Sequence, residues 1–361
     1  MGGSFFRSRG FLVDTLAIAA AVVLLSIHPS AQWVERAYAN GAYPIWQHAI
    51  SAITLPLPFS LGDLAGVAGL AIAILIVAHN LRAMRKGRRL LPIARALYGL
   101  LALGAVYTGW FLLSWGLNYD RAPLETRTRY DASRVTLAAG RRLSDVARTN
   151  VNRLAAAAHA RSGRPLDTDG LEASWLPVVR RLGDTWTPHV GAPKISIADP
   201  FMNATGTSGY INPLTLNSHL ASDLLWFERP FDLAHEWTHV AAFAREDEAN
   251  YVAVLTTTRS RDPVIAYSGW LEVFLTLPLK AHYKKTDFAP LVWSDFAAIR
   301  LRNARRLNLS LARFSWRTYN VYLKSNHVAA GVENYNEVAR LLLAIPLDRQ
   351  GLPIALNPPD R

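Results

Sequence analysis

Residues 230–243 read PFDLAHEWTHVAAF and place two histidines, His235 and His239, four positions apart, with Glu236 directly after the first. Residues four apart in a helix lie on one face, so both imidazoles can hold the same metal ion. Glu236 is rotated by about 100° around the helix, which sets its carboxylate beside the metal without ligating it. That is the position of a general base acting on a metal-activated water. The alternative is a pair of surface histidines on an ordinary helix.

A second helix is expected after Arg245, where the sequence continues EDEAN. A catalytic zinc takes three protein ligands and leaves its fourth position open for water. Glu246 follows His239 by seven residues, which is enough for a turn that folds the second helix back on the first. Asn250 lies on the same helix face as Glu246, where its side-chain oxygen is placed to accept an imidazole N–H. Acids also favour a helix N-terminus through the dipole, and the spacing favours Glu246 over Glu248 as the third ligand.

Three polar residues in later helices are candidates to stabilise the oxyanion that forms when water attacks a carbonyl. They are Tyr267, Tyr319 and Lys324. The alternative is that both tyrosines are buried with satisfied hydroxyls and that the lysine is solvated. Residues 209–212 predict a strand whose edge is suited to pairing with a peptide backbone.

Three apolar stretches predict a membrane anchor in residues 1–117, at about 11–28, 61–81 and 96–117. The chain is 51% hydrophobic but only 18% charged, which indicates that part of it avoids water. A helix of about 20 residues crosses the hydrocarbon of a bilayer. The first stretch is marginal in length, and its alternative is a cleaved signal peptide. The small-residue triplet Ala37-Tyr38-Ala39 lies too far beyond the apolar core for a cleavage site, so an uncleaved helix is favoured.

The basic residues near these stretches predict the orientation of the anchor. Positive charge flanks the first stretch on its N-terminal side and fills the loop between the second and third, whereas Arg36 between the first and second is balanced by Glu35. The positive-inside rule therefore places the N-terminus and the 82–95 loop in the cytoplasm and residues 118–361 outside it. The net charge of +12 does not indicate nucleic-acid binding, because the basic residues in the loop between the second and third stretches have no interleaved aromatic residues. The flanking residues are Arg7, Arg9, Arg82, Arg85, Lys86, Arg88, Arg89 and Arg95.

Residues 118–361 are expected to form a mostly helical domain with a small sheet. Residues 137–160 have helical spacing, and residues 194–197 alternate like a strand. The absence of cysteine excludes a thiolate nucleophile, an iron–sulfur cluster and cysteine-ligated zinc. Helical patterns dominate from Pro230, with breaks expected at Asp262–Pro263, Pro278 and Gly331.

The HExxH pattern followed by E-x-x-A-N on the next helix resembles gluzincin-type zinc metallopeptidases, in which that first glutamate is the third ligand. Nearly the whole chain resembles a bacterial membrane-protein family, the domain-of-unknown-function family number 3810. The resemblance implies an α+β, mostly α architecture of three transmembrane helices followed by a zincin-like domain that binds Zn²⁺. Relatives tend to carry glycine three residues after the second histidine, where this chain has Ala242. The matching stretches are PFSLGD (58–63), WGLNY (115–119), residues 235–250, YSGW (267–270), YLK (322–324) and GV (331–332).

Two functional hypotheses follow. The first is a multi-pass peptidase of the bacterial cytoplasmic membrane, with its catalytic domain outside the cytoplasm and a peptide or protein of the cell envelope as substrate. The second is a non-catalytic membrane sensor or envelope scaffold with a structural metal site. Glu236 favours the enzyme, because a structural site has no use for a carboxylate beside an open coordination position. An intramembrane protease is disfavoured, because the motif lies more than a hundred residues after the last apolar stretch.

Overall fold

The computed structural model describes residues 9–84, 90–183, 185–277, 282–325 and 338–356. The chain is mostly helical with a small two-stranded sheet, as its sequence predicts. Its helices are α1 (Arg9–Ser26), α2 (Ala31–Trp33), α3 (Tyr43–Thr54), α4 (Leu61–Met84), α5 (Leu90–Ser114), α6 (Leu124–Arg127), α7 (Leu137–His159), α8 (Thr168–Arg181), α9 (Asp199–Thr205), α10 (Arg229–Val240), α11 (Glu246–Thr258), α12 (Pro263–Thr276), α13 (Pro290–Arg306), α14 (Leu309–Ser325) and α15 (Val338–Ala344). A π-helix (Val34–Ala42) joins α2 to α3, and the strands are β1 (Gly209–Ile211) and β2 (Ser218–Leu220).

Helices α4 and α5 are long and apolar enough to cross a membrane. Helix α1 meets that test only together with the following segment Ala31–Thr54, from which it is bent by 109°. The third predicted stretch is shifted, because α5 already begins at Leu90 and ends at Ser114. Pro92 is tolerated there because the first turn of a helix has no partner for its missing N–H. Several sequence predictions lie outside the described residues, namely those on Arg7, Arg85, Lys86, Arg88, Arg89, Pro278 and Gly331–Val332.

The helical segment 31–54 is not predicted by the sequence. Val34, Tyr38 and Tyr43 are buried in a cluster that also contains Trp115 and Val240. The Tyr43 hydroxyl donates to the Val240 carbonyl at 2.8 Å. This segment therefore packs directly on the end of α10, the helix that carries the two histidines.

The sheet is smaller than the sequence predicts. Strands β1 and β2 pair antiparallel, with Tyr210 opposite His219. The predicted strand at 194–197 is wrong: only Lys194 makes a bridge, parallel to His219. Its ammonium donates to three carbonyl oxygens at the end of α3 and beyond, those of Thr54, Leu57 and Phe59.

The main core lies between α10, α11, α12, α7 and α8, which pack on one another. The predicted helix at 137–160 is confirmed as α7, and α12 begins at the expected proline, Pro263. Trp175 of α8 and Trp237 of α10 are fully buried with their rings 5.8 Å apart. This packing fixes one side of α10, so its histidine face is held towards α11.

Candidate metal centre

Helices α10 and α11 bring three ligand atoms together. The Nε2 atoms of His235 and His239 lie 3.1 Å apart. Oε2 of Glu246, the first residue of α11, lies 3.1 Å from the first of these nitrogens and 3.5 Å from the second. All three residues are part of one group that could hold a metal ion, with ligand atoms within 4.8 Å of one another.

The hydrogen bonds behind the imidazoles indicate that the cluster suits a cation. Nδ1 of His239 contacts the Phe243 carbonyl oxygen at 2.7 Å, and Nδ1 of His235 contacts Oδ1 of Asn250 at 2.8 Å. Both partners accept, so each Nδ1 donates and the neutral rings turn their Nε2 lone pairs towards each other. Two lone pairs at that separation repel unless a proton or a metal ion lies between them. Two imidazoles and one carboxylate are a donor set that can hold a divalent metal ion.

A left-handed turn directs the chain from α10 to α11. The Phe243 N–H donates to the Thr238 carbonyl and the Ala242 N–H to the His239 carbonyl, which is a Schellman motif. Ala242 occupies its left-handed position with a φ of +68°. The chain thus makes a sharp turn at an alanine, although a Cβ is unfavourable there. The turn also presents the Phe243 carbonyl to His239.

Replacing Ala242 by glycine should therefore raise the free energy of unfolding by about 1 kcal/mol, because the strain of the left-handed alanine is relieved. Denaturant unfolding of the full chain in detergent would measure this. Ala241 is the matched control, because its φ of −80° is right-handed, so Ala241→Gly should destabilise the protein by a similar amount. Equal effects of the two substitutions would contradict the expected strain.

The turn is held by residues that the sequence analysis does not connect with the metal motif. The Arg121 guanidinium donates to the Ala242 carbonyl at 3.0 Å and pairs with Glu35 at 2.9 Å. Trp115 donates to the His239 carbonyl at 3.0 Å. The Phe243 ring lies 5.0 Å from the guanidinium of Arg121. No local pattern marks these contacts, since they join segments more than eighty residues apart.

Glu236 lies buried beside the metal cluster. Its side chain is packed so closely under β1 that a Cβ on Gly209 would lie 2.6 Å from its Oε1. Its Oε2 has no hydrogen-bond partner among the described residues. Burial raises the pKa of Glu236 to about 8, although the charge of His239 opposes the shift. A cation in the cluster would favour the ionised carboxylate in the same way.

The other acids of α11 face away from the histidines. Oε1 of Glu248 accepts the Leu124 N–H at 2.8 Å, and its Oε2 lies 3.6 Å from the Arg127 guanidinium. Asp247 pairs with Arg245 at 3.1 Å. The structure thus brings Glu246, and not Glu248, to the cluster.

The three candidate oxyanion stabilisers have different surroundings. The Tyr319 hydroxyl donates to Oε1 of Glu246, which leaves Oε2 towards the histidines. The Tyr267 hydroxyl is fully buried and donates instead to Asp295 of α13. Lys324 is exposed in the last turn of α14. Of the three, Tyr319 is the one with a contact to a residue of the cluster.

The charged groups of the metal cluster shift one another's pKa values. Burial alone would lower the pKa of His239, but the charges of Glu246 and Glu236 outweigh it and raise the pKa to about 9. Burial would raise the pKa of Glu246, but the two imidazoles hold it well below its usual range. Without metal, His239 is therefore protonated and Glu246 ionised at neutral pH.

Metal binding should consequently depend on pH. A metal ion must displace the His239 proton, which is held until the pH approaches 9. The apparent affinity should rise about tenfold per pH unit between pH 6 and 8 for each proton released. Competition with a chelator at several pH values would measure the slope, and calorimetry in buffers of different ionisation enthalpy would count the protons. An affinity that does not change with pH would contradict the expected protonation of His239.

These features define a mostly helical chain whose described residues contain two or three helices suited to a membrane and one buried His-His-Glu cluster. The chain belongs to the family described as "Protein of unknown function (DUF3810)", whose model matches residues 38–343. The predicted resemblance to that family is thereby confirmed. Comparison with curated proteins and with solved structures gives no match.

Proposed function

We propose that the protein is a membrane-anchored zinc-dependent peptidase. One observation carries the proposal: a His-His-Glu cluster with a buried carboxylate, Glu236, on the same helix turn as His235 and His239. A purely structural metal site would have no use for that carboxylate. An enzyme that activates water requires one beside the metal and close to the attacked bond.

Zinc is the proposed ion because of the ligand types. Two imidazole nitrogens and one carboxylate oxygen leave a fourth coordination position open, as catalytic zinc sites do. Asn250 and the Phe243 carbonyl hold the two rings in the tautomer that leaves Nε2 free to bind. The Tyr319 hydroxyl holds Glu246 by its other oxygen. Every proposed ligand is therefore positioned by a second hydrogen bond.

The chemistry would divide between the ion and the chain. A bound Zn²⁺ would act as a Lewis acid that acidifies a water molecule and polarises the scissile carbonyl. Glu236 would accept the proton of the attacking water and pass it to the leaving amine. The peptide would lie along β1, which pairs with β2 on one side in the described part of the chain. Gly209 keeps that strand close to Glu236, because any side chain there would collide with the carboxylate.

We further propose that α4 and α5 span the bacterial cytoplasmic membrane and that residues 118–361 lie outside the cytoplasm. The basic loop between these helices and the basic N-terminus support this orientation. A reporter that is active only in the cytoplasm should be silent when fused after Arg361 and active when inserted in the 82–95 loop. The opposite result would reverse the proposed topology.

The deciding experiment measures metal content and peptide hydrolysis on the same preparation of the full chain. The substrates would be peptides derived from envelope proteins, and the matched variant is Glu236→Gln. Hydrolysis that depends on both zinc and Glu236 supports the peptidase. Zinc binding with no difference between the two proteins, in hydrolysis or in the phenotype of the cell, supports a scaffold.

A further inference from the structure

One face of helix α14 packs against the rest of the protein, and the opposite face is exposed. On the inner face, the Tyr319 hydroxyl donates to Glu246 and Leu323 is fully buried. On the outer face, Phe314 is 65% exposed and Val321 is 68% exposed. Large apolar side chains with so much exposure mark a contact surface.

The outer face also carries a cationic stripe. Helical periodicity places Arg313, Arg317 and Lys324 on one line, and all three are exposed. Phe314 and Val321 lie along one side of this stripe. Exposed Leu309 and Trp316 lie along its other side. Basic residues bordered by large apolar residues are typical of a helix that lies in the plane of a membrane interface.

The N-terminal end of α14 is connected to the start of α4. The Asn308 N–H, just before α14, donates to the Ala204 carbonyl of α9 at 2.8 Å. The segment before α9 is tied to the first turn of α4, because Asp63 accepts from the Ser196 hydroxyl at 3.0 Å and from the Ile197 N–H at 2.9 Å. Exposed apolar residues continue the surface here, namely Ile195, Ile197 and Phe201.

The C-terminal end of α14 is connected to the end of α5. The Tyr322 ring lies 6.1 Å from the ring of Phe111, which is in the last turn of α5. The Tyr119 hydroxyl donates to that of Tyr322 at 3.3 Å. Helices α4 and α5 follow each other along the chain and pack together, so the start of α4 and the end of α5 lie on the same side of any membrane they span. Helix α14 bridges these two points.

We propose that the outer face of α14, together with the exposed residues at 195–201, rests on the bilayer that α4 and α5 span. Arg313, Arg317 and Lys324 contact anionic headgroups, while Phe314 and Val321 enter the boundary of the acyl chains. The inference rests on the proposed membrane insertion of α4 and α5. It places α14, whose Tyr319 hydroxyl donates to Glu246 of the metal cluster, on the membrane surface.

Single spin labels test the proposal in the full chain, which contains no cysteine. The labels are placed at Phe314→Cys and Val321→Cys, with Leu70→Cys on α4 as the lipid reference and Arg141→Cys on α7 as the water reference. The protein is reconstituted in nanodiscs of phosphatidylcholine with phosphatidylglycerol. The measurement is the ratio of spin-label relaxation by oxygen, which concentrates in lipid, to relaxation by a water-soluble nickel chelate.

The labels at 314 and 321 should give ratios several-fold above that at 141, approaching that at 70. Values equal to that at 141 would overturn the proposal. Low accessibility to both reagents would also overturn it, because the face would then be covered by protein, such as a second copy of the chain. A water-like value at 70 would show instead that the membrane insertion itself is wrong, which separates the two failures.

Discussion

Glu236→Gln should leave zinc binding by the full-length protein unchanged and lower its peptide hydrolysis by about 10²–10⁴-fold. Glutamine has nearly the shape of glutamate but cannot accept the proton of the attacking water. The side chain is buried under β1, and one of its oxygens has no partner among the described residues. Because glutamine fills the same space, the substitution removes the carboxylate without leaving a cavity. Zinc content by mass spectrometry and hydrolysis of envelope-derived peptides are measured on the same samples.

The matched control is Glu172→Gln on α8, which removes a carboxylate away from the cluster and should change neither quantity. Retention of full hydrolysis by Glu236→Gln would show that Glu236 is not the general base. Loss of zinc by Glu236→Gln would instead indicate that Glu236 ligates the metal, and the mechanism would have to be rebuilt.

The sequence predicts the elements that form the candidate centre better than it predicts what surrounds them. The histidine spacing specifies one face of one helix, and the acidic start of α11 specifies a second helix after a short turn. Both are local patterns, and the structure places His235, His239, Glu246 and Asn250 together accordingly. Ala242 shows the limit of such patterns, because the tertiary contacts of the turn impose a left-handed conformation that alanine does not favour.

The segment 31–54 could not be predicted for a different reason. It carries Glu35, Arg36 and Gly41, which interrupt any simple helical pattern. Its helical form depends on contacts with residues far along the chain. Tyr43 donates to the Val240 carbonyl, and Glu35 pairs with Arg121. The predicted strand at 194–197 fails similarly, because its alternation leaves Ile195 and Ile197 exposed instead of paired in a sheet.

Glu246→Gln and Glu248→Gln should have opposite effects on metal binding and on stability. Glu246 offers the third oxygen or nitrogen atom of the group that could hold a metal ion, and loss of a hydrogen-bond partner behind a ligand already weakens binding by about 10–100-fold. Removal of the ligand charge itself should therefore weaken zinc binding by more than about 100-fold. The fold should lose less stability than in Glu248→Gln, because the amide oxygen still accepts from Tyr319 and because His239 can release its proton once the facing carboxylate is gone.

Glu248→Gln should keep its zinc but lose stability. Its carboxylate is buried, accepts the Leu124 N–H and lies 3.6 Å from the Arg127 guanidinium, which is 1% exposed. An unpaired buried charge costs about 3–5 kcal/mol, and the loss should be smaller than that because Glu35 still lies 3.6 Å from the same guanidinium. Chelator competition measures the zinc affinity of both variants, and denaturant unfolding in detergent measures their stability. Zinc loss in Glu248→Gln with retention in Glu246→Gln would exchange the two assignments. Zinc loss in both, with equal destabilisation, would show that the effect arises from unfolding of the N-terminus of α11 and that neither glutamate is a ligand in its own right.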